Sequence, residues 1–371
     1  MRAWMQVHGP KPLMRWLALL LLVMLSGCGK VGYYLHLAEG QWQLSAARTP
    51  IGKVIAAPET PAGLASALRD VRDVRAFAID TVALPDNGSY THYVDLRRDY
   101  VVWNVMAAPA YSLEARETCH WFVGCLAYRG YFEQARAEAE VARLSAEGWD
   151  AMISPVPAYS TLGKFRDPVL NTMLRGGVAA LLGTVIHEMT HERLFVPGDT
   201  AFNESYASFV EQEGLRQWRA ARDRAPDAQE AMLARRRRQF VGLVLDTREQ
   251  LARDYAAHAG DPAALDAAKH AAFDALRQRY RHLRDQDWGG WTGYDAWFDR
   301  PLNNAHLLPF GLYDQWVPAF AALFDRVAGD WPAFHTAVER LAQLPPEARH
   351  ARLAQLLAST PCTASNDQEC G

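Results

Sequence analysis

The sequence predicts an α+β protein: a front half that mixes strands and helices, a back half that is largely helical, and a small mixed sheet packed on the helix carrying HEMTH at residues 187–191. Three observations lead there. Residues 91–109, THYVDLRRDYVVWNVMAAP, alternate and are rich in β-branched and aromatic residues, as strands are. From residue 168 onward the apolar spacing is helical, with breaks near Pro197, Pro226, Gly260, Gly289 and Pro345. Half of the 371 residues are hydrophobic, enough for a sizeable core, and neither an internal repeat nor a long linker divides them.

In chain order, residues 1–27 carry Arg2, Lys11 and Arg15, no acid, and the uncharged run WLALLLLVMLSG at 16–27. A basic start and a short apolar stretch read as a secretory signal, since twelve residues are too few for a spanning helix. The run ends in Leu25-Ser26-Gly27-Cys28, which resembles a bacterial lipobox. Cys28 is therefore expected to carry a lipid and to anchor the mature chain, 28–371, at the cell envelope facing the periplasm. The whole chain has net charge −3; setting aside the leader's +3 leaves −6. An acidic mature chain gives no reason to expect nucleic acid as a partner, and membrane contact is expected from the anchor alone.

The mature chain reads as one domain, with a mixed part over 28–165, a mainly helical part over 166–360 and a disulfide-closed tail over 361–371. Residues 30–60 and 60–82 read as helices, 91–109 and 121–132 as strands, 133–148 as a helix ending at Gly148, and 150–165 as an extended edge strand containing two prolines. Four further cysteines form two close pairs, Cys119 with Cys125 and Cys362 with Cys370. In an exported protein these are expected as local disulfides, with Cα separations of roughly 4.4–6.8 Å.

The HEMTH segment poses the chemical question. On a helix, His187 and His191 lie about 40° apart and can share one ion, and Glu188 projects from the neighbouring edge, placed to reach a water. This is the H-E-x-x-H pattern of zinc sites. The preceding stretch, 168–186, has Arg175 as its only charge and reads as a buried helix, with Gly176, Gly177 and Gly183 allowing close packing. Catalytic zinc usually keeps three protein ligands and a water. Six residues beyond His191 stands Pro197, not a further histidine. Pro197-Gly198 ends the helix, Asp199 or Thr200 can cap the next, and Glu204 then falls near its start, where it can complete a His-His-Glu set. Glu211 and Glu213 compete more weakly, and Glu192 points off the metal face.

Other candidate residues remain open. A donor to a developing oxyanion could be His306, Tyr313, Tyr128 or Tyr131. An acid for a substrate amine could be Glu192, Glu211 or Glu213. The extended segment 154–165 could hold a peptide by strand addition. The four arginines of ARRRRQ (234–239) spread around a helix and read as a solvated surface. The tryptophans at 288, 291 and 297 either line a cleft or fold onto the core.

Six segments together resemble the bacterial putative aminopeptidase family of exported, zincin-like proteins: the lipobox, VGYYLHLAEGQ (31–41), YRGYF (128–132), AYSTLGKFRDPVL (158–170), HEMTHERLFVPGDTAFNESYASFVE (187–211) and NNAHLLPFGLYDQWVPAFAAL (303–323). The resemblance covers essentially the whole mature chain. It implies a zincin-like fold, one zinc ion held by His187, His191 and Glu204, Glu188 as catalytic acid and base, and peptides as substrates. The alternative it leaves is a zincin-fold lipoprotein that binds or assembles without turnover.

Overall fold

The structure is a computed structural model that describes residues 31–120, 124–158, 160–226 and 228–358. The leader, Cys28, Cys362 and Cys370 lie outside the described residues. The chain divides into two compact units, Met1–Ala47 and Arg48–Gly371. The described part of the first contains one helix, α1 (31–46).

The second unit is α+β, as the sequence predicts. Strand β1 (Thr49–Pro50) leads into helices α2 (Ile51–Ala56) and α3 (Ala62–Asp80). Pro61 caps α3, and Leu68, Val71, Val74 and Ala78 bury one face at helical spacing. Strands β2 (His92–Val94), β3 (Val102–Pro109), β4 (Thr118–His120), β5 (Gly124–Leu126) and β6 (Arg129–Tyr131) follow, then helix α4 (Gln134–Ala146) and strands β7 (Trp149–Val156) and β8 (Val169–Leu170). Gly148, at φ +85°, turns the chain from α4 into β7.

Among the described residues, three small sheets form where one was expected: β1-β2-β8, β6-β3-β7 and β4-β5. The first is mixed, since β2 pairs β1 antiparallel and β8 parallel. The second is antiparallel, with Trp103 opposite Pro155 and Ala107 opposite Ala151. β7 is one of its two edge strands, where Pro155 is tolerated.

The 168–186 stretch is not one buried helix. After β8 comes a 3-10 turn (Asn171–Gly176), and α5 runs only over Gly177–Arg193. Gly177 has φ +84°, which breaks helical continuity, and the first turn of α5 is exposed up to Val178. Burial starts at Leu181. Nor does α5 pack chiefly on a sheet: its main partners are α3, the preceding 3-10 turn, and α6 (Thr200–Ala220). Gly214 of α6 stands against Ile186, where an added Cβ would sit 3.4 Å from Cγ2.

Long helices α7 (Ala228–Ala257) and α8 (Pro262–His282) form a second core with the loop after them. Trp288, Trp291 and Trp297 all pack into that core. In the arginine run only Arg236 is buried, donating to the Trp288 carbonyl (2.9 Å) beneath Trp291. The chain continues through α9 (Asp295–Phe298), a 3-10 turn (Asn304–Leu307), α10 (Leu308–Tyr313), α11 (Val317–Arg326), α12 (Trp331–Ala342) and α13 (Pro346–Ala358). Phe320, Phe324, Trp331 and Phe334 pack on Phe202, Tyr206 and Phe209 of α6, fixing the helix that follows the HEMTH turn.

Cys119 and Cys125 are bonded across β4-β5, where they stand directly opposite each other. Their Cα atoms are 3.8 Å apart, closer than expected, because the bond joins a directly facing pair in a short hairpin.

Candidate metal centre

α5 presents His187 and His191 one turn apart, with their Nε2 atoms 3.2 Å from each other. α6 supplies Glu204, whose Oε2 lies 3.2 Å from His187 Nε2 and 3.5 Å from His191 Nε2. All three side chains are buried. A tetrahedral ion with bonds of 2.0–2.1 Å separates its ligands by roughly 3.3 Å, so the three atoms stand where one ion would need them. They form one of two such groups among the described residues; the other, Glu117 with Cys119 and Cys125, includes the two disulfide-bonded sulfurs.

The set is held from behind. Glu211 Oε2 lies 3.0 Å from His187 Nδ1, so a carboxylate fixes the ring and leaves Nε2 facing Glu204. Glu211 thus supports the cluster and does not replace Glu204. Gly183 makes room for it, since a Cβ there would come within 2.6 Å of Glu211 Oε1. Glu213 is turned away and paired with Arg216 (2.6 Å) and Gln217 (2.7 Å). His191 Nδ1 is buried without a hydrogen-bond partner among the described residues, so only one of the two rings has the orienting partner expected for both.

Three successive residues of α6 build the surroundings. Asn203 accepts from Val196 N and donates to Val196 O, both at 2.8 Å, and so clamps the turn between the helices. Glu204 joins the histidines. Ser205 Oγ accepts from Trp316 N (3.2 Å) and donates to Leu312 O (3.3 Å), tying down the segment that carries Tyr313. Asp199 caps α6 through Phe202 N (3.0 Å), which decides between the two capping candidates.

Tyr313 is the tyrosine that the fold brings to the cluster. Its ring lies nearly parallel to His187, 6.4 Å between centroids at 23°. Burial, then the charges of Glu204 and Glu188 and the neighbouring Tyr128, hold its phenol well above the ordinary value, so it keeps its proton and remains a donor. Tyr128 packs on the small core of Met106, Ala108, Met152, Ala305 and Leu308. Tyr131 lies on β6 under Arg129. His306 is used elsewhere: its Nδ1 lies 2.8 Å from Asn303 Oδ1, and burial lowers its pKa to about 4. The adjoining Asn304 donates to Ala110 O (2.9 Å) and accepts from Tyr255 (2.9 Å), which anchors the approach to α10. Gly311 lets α10 lie against the half-buried Arg248, whose Nη2 would be 2.5 Å from an added Cβ.

Glu188 stands beside the cluster and outside the converging set, partly buried. Burial raises its pKa; Glu204 and Asp167 add to that, and His187 and His191 oppose it. Burial would likewise raise Glu204, but His191 and His187 outweigh it and hold the carboxyl at about 2. Asp167 and Glu192, both near enough to Glu188 to feel its charge, are lifted to about 6, chiefly by burial.

The fold and this site define a class: an α+β protein with a buried His-His-Glu group, on two successive helices, compatible with a metal ion. The chain belongs to the putative aminopeptidase family, whose model matches residues 32–353. That groups it with peptidases. No curated protein and no solved structure showed a significant match to it.

Proposed function

We infer that the protein is a zinc-dependent peptidase of zincin-like build, in which His187, His191 and Glu204 hold the ion and Glu188 moves the proton. The observation that carries this is the convergence of His187 Nε2, His191 Nε2 and Glu204 Oε2 at 3.2–3.5 Å, with Glu188 beside them and outside the set. A zinc ion bound there would supply a polarised carbonyl and a water with its pKa lowered toward about 7. Glu188 accepts the proton of the attacking water and passes it to the departing amine. The Tyr313 hydroxyl, kept protonated by its surroundings, is the donor for the oxyanion. The outer edge of β7 beyond Ala151, whose carbonyl already accepts from Asn303 Nδ2 (3.2 Å), is where an extended peptide would add by strand pairing. The intact Glu188 favours turnover over a purely binding role, which has no need of a base. In this reading Cys28 anchors the chain by lipid at the periplasmic face of the envelope.

Purified mature protein is expected to carry about one zinc per chain and to hydrolyse short peptides. Stripping the metal with a chelator should abolish hydrolysis, and zinc should restore it. Turnover that persists in demonstrably metal-free protein would rule the reading out. Glu211→Gln removes the carboxylate behind His187 and should weaken zinc affinity about 10–100-fold, measured by competition with a chromogenic chelator. Unchanged affinity would show that Glu211 does not orient the ligand.

A further inference from the structure

Helix α1 carries apolar surface that the reaction above does not use. It reads VGYYLHLAEGQWQLSA over 31–46, with Glu39 as its only acid and no lysine or arginine. Among the described residues, its Val31, Leu35 and Trp42 are the three most exposed large hydrophobic side chains, at 59%, 65% and 70%. Ala38 is exposed as well. At 100° per residue, Val31, Leu35, Ala38 and Trp42 fall within an arc of about 60°, and Glu39 stands outside it. Tyr33, His36, Gly40 and Leu44 are buried and occupy the opposite side of the helix. One face of α1 is therefore covered, and the other is an apolar stripe open to solvent. At 1.5 Å per residue the stripe runs about 17 Å along the axis. Single apolar side chains on a surface are ordinary, but an aligned row of them marks a place of contact.

The sequence says what lies nearby. Cys28 precedes Val31 by three residues, a stretch that can span at most about 11 Å. Resting on the reading of Cys28 as the lipid-bearing residue, we propose that the Val31-Leu35-Ala38-Trp42 stripe docks on the bilayer surface. α1 lies in the plane of the interface, with these side chains entering the boundary between headgroups and acyl chains. It lies on the membrane and does not cross it. A helix over 31–46 reaches about 24 Å, short of the roughly 30 Å hydrocarbon core, and no described helix is long and apolar enough to span. Trp42 suits the interface, where its ring stays apolar and its N–H meets water. With neither lysine nor arginine on α1, apolar burial and not charge drives the contact, so it does not select anionic lipid. A second copy of the chain is the poorer fit. Even at about 250 Å² for a large side chain, three of them 59–70% exposed fall short of the roughly 800 Å² per partner of a stable dimer. The mature chain then touches the membrane at two points, the lipid and α1, in place of the anchor alone.

The test removes the lipid and keeps the stripe. Leaderless Cys28→Ser protein is mixed with phosphatidylcholine vesicles and floated on a density gradient. It is expected to rise with the vesicles, to the same extent in low and high salt and with or without added phosphatidylglycerol. Leu35→Glu combined with Trp42→Glu should lower the partition coefficient at least about 10-fold. Circular dichroism should stay unchanged, since both side chains are exposed. A nitroxide on Leu35→Cys should become more accessible to oxygen than to a water-soluble nickel chelate once vesicles are added. Absence of vesicle binding by the Cys28→Ser protein overturns the proposal, as does equal binding by the charged double variant. Self-association that the double variant abolishes, without vesicle binding, gives the stripe to a second copy and overturns it too. The anchor is checked apart from this, by the mass of the native N-terminal peptide. Acyl chains missing from Cys28 would sink the anchor reading and leave the vesicle binding of the stripe standing.

Discussion

Glu188→Gln is expected to keep its zinc and lose peptide hydrolysis by a factor on the order of 10² to 10⁴, the usual contribution of a positioned base. The amide has nearly the shape of the carboxylate but cannot take a proton. The three atoms that would hold the ion belong to other residues, so metal content should stay at the parental level. Stopped assays on one free-amine peptide, paired with metal analysis of the same preparations, check both halves. Parental turnover by the variant would remove Glu188 from the chemistry. Loss of zinc together with activity would mean that Glu188 is holding the site and not acting in it.

The largest expected loss of stability comes from Asp199→Ala. Asp199 is buried at the turn between α5 and α6, and its two oxygens do different work. Oδ1 caps α6 through Phe202 N (3.0 Å). Oδ2 accepts from Arg349 and from His350 Nε2 (2.9 Å) of α13. Arg349 is itself buried, with its remaining donors on the carbonyls of Leu341, Ala342 and Leu344. Removing the carboxylate leaves a guanidinium buried without its counter-charge, which costs about 3–5 kcal/mol. The shift should appear in the denaturant midpoint of the parent against the variant. It should also depend on pH. Burial works to raise the pKa of Asp199, but His350, the Phe202 amide and Arg349 outweigh it and hold it below the ordinary value. A depressed folded pKa gives stability that is full above the unfolded value near 3.9 and is lost as pH falls through the folded one. The gap between parent and variant should therefore be wide at neutral pH and shrink below about pH 4. A gap of less than about 1 kcal/mol at pH 7 would show that the pair stabilises nothing beyond an exposed bridge.

What sequence reading could reach depended on how local the signal was. His187, Glu188 and His191 lie within one turn and a half of one helix, and Glu204 follows a turn marked by Pro197-Gly198 and capped by Asp199. Each of those marks is written in adjacent residues, and the structure brings the three ligand candidates together. Glu211 was visible only as a weaker rival for the ion. Its place behind His187 depends on how α5 and α6 pack, and on a glycine, Gly183, that reads in sequence as general looseness. The start of α5 was misplaced because an uncharged run looks the same whether it is one helix or a strand, a 3-10 turn and a helix. Only the positive φ at Gly177 separates those cases. The packing of α5 on α3 and α6, in place of a sheet, was hidden for the same reason, since apolar faces do not name their partners. The contact of Glu192 with Asn87, 105 residues away in sequence, carried no signal at all, since it exists only in three dimensions.

The run Asn203-Glu204-Ser205 has a mechanical meaning. One residue clamps the inter-helix turn, the next enters the cluster, and the third grips the segment bearing Tyr313. Successive residues on a helix point about 100° apart, so these three look in three directions at once. A rotation of α6 by one residue would release the turn, withdraw the carboxylate and let go of the tyrosine in a single motion. The helix behaves like a key with three cuts: in register every lever engages, and out of register none does. A population of molecules should then consist of fully working copies and dead ones, with no half-active form between them. Heating or mild denaturant would lower the number of working sites while leaving the rate at each of them unchanged.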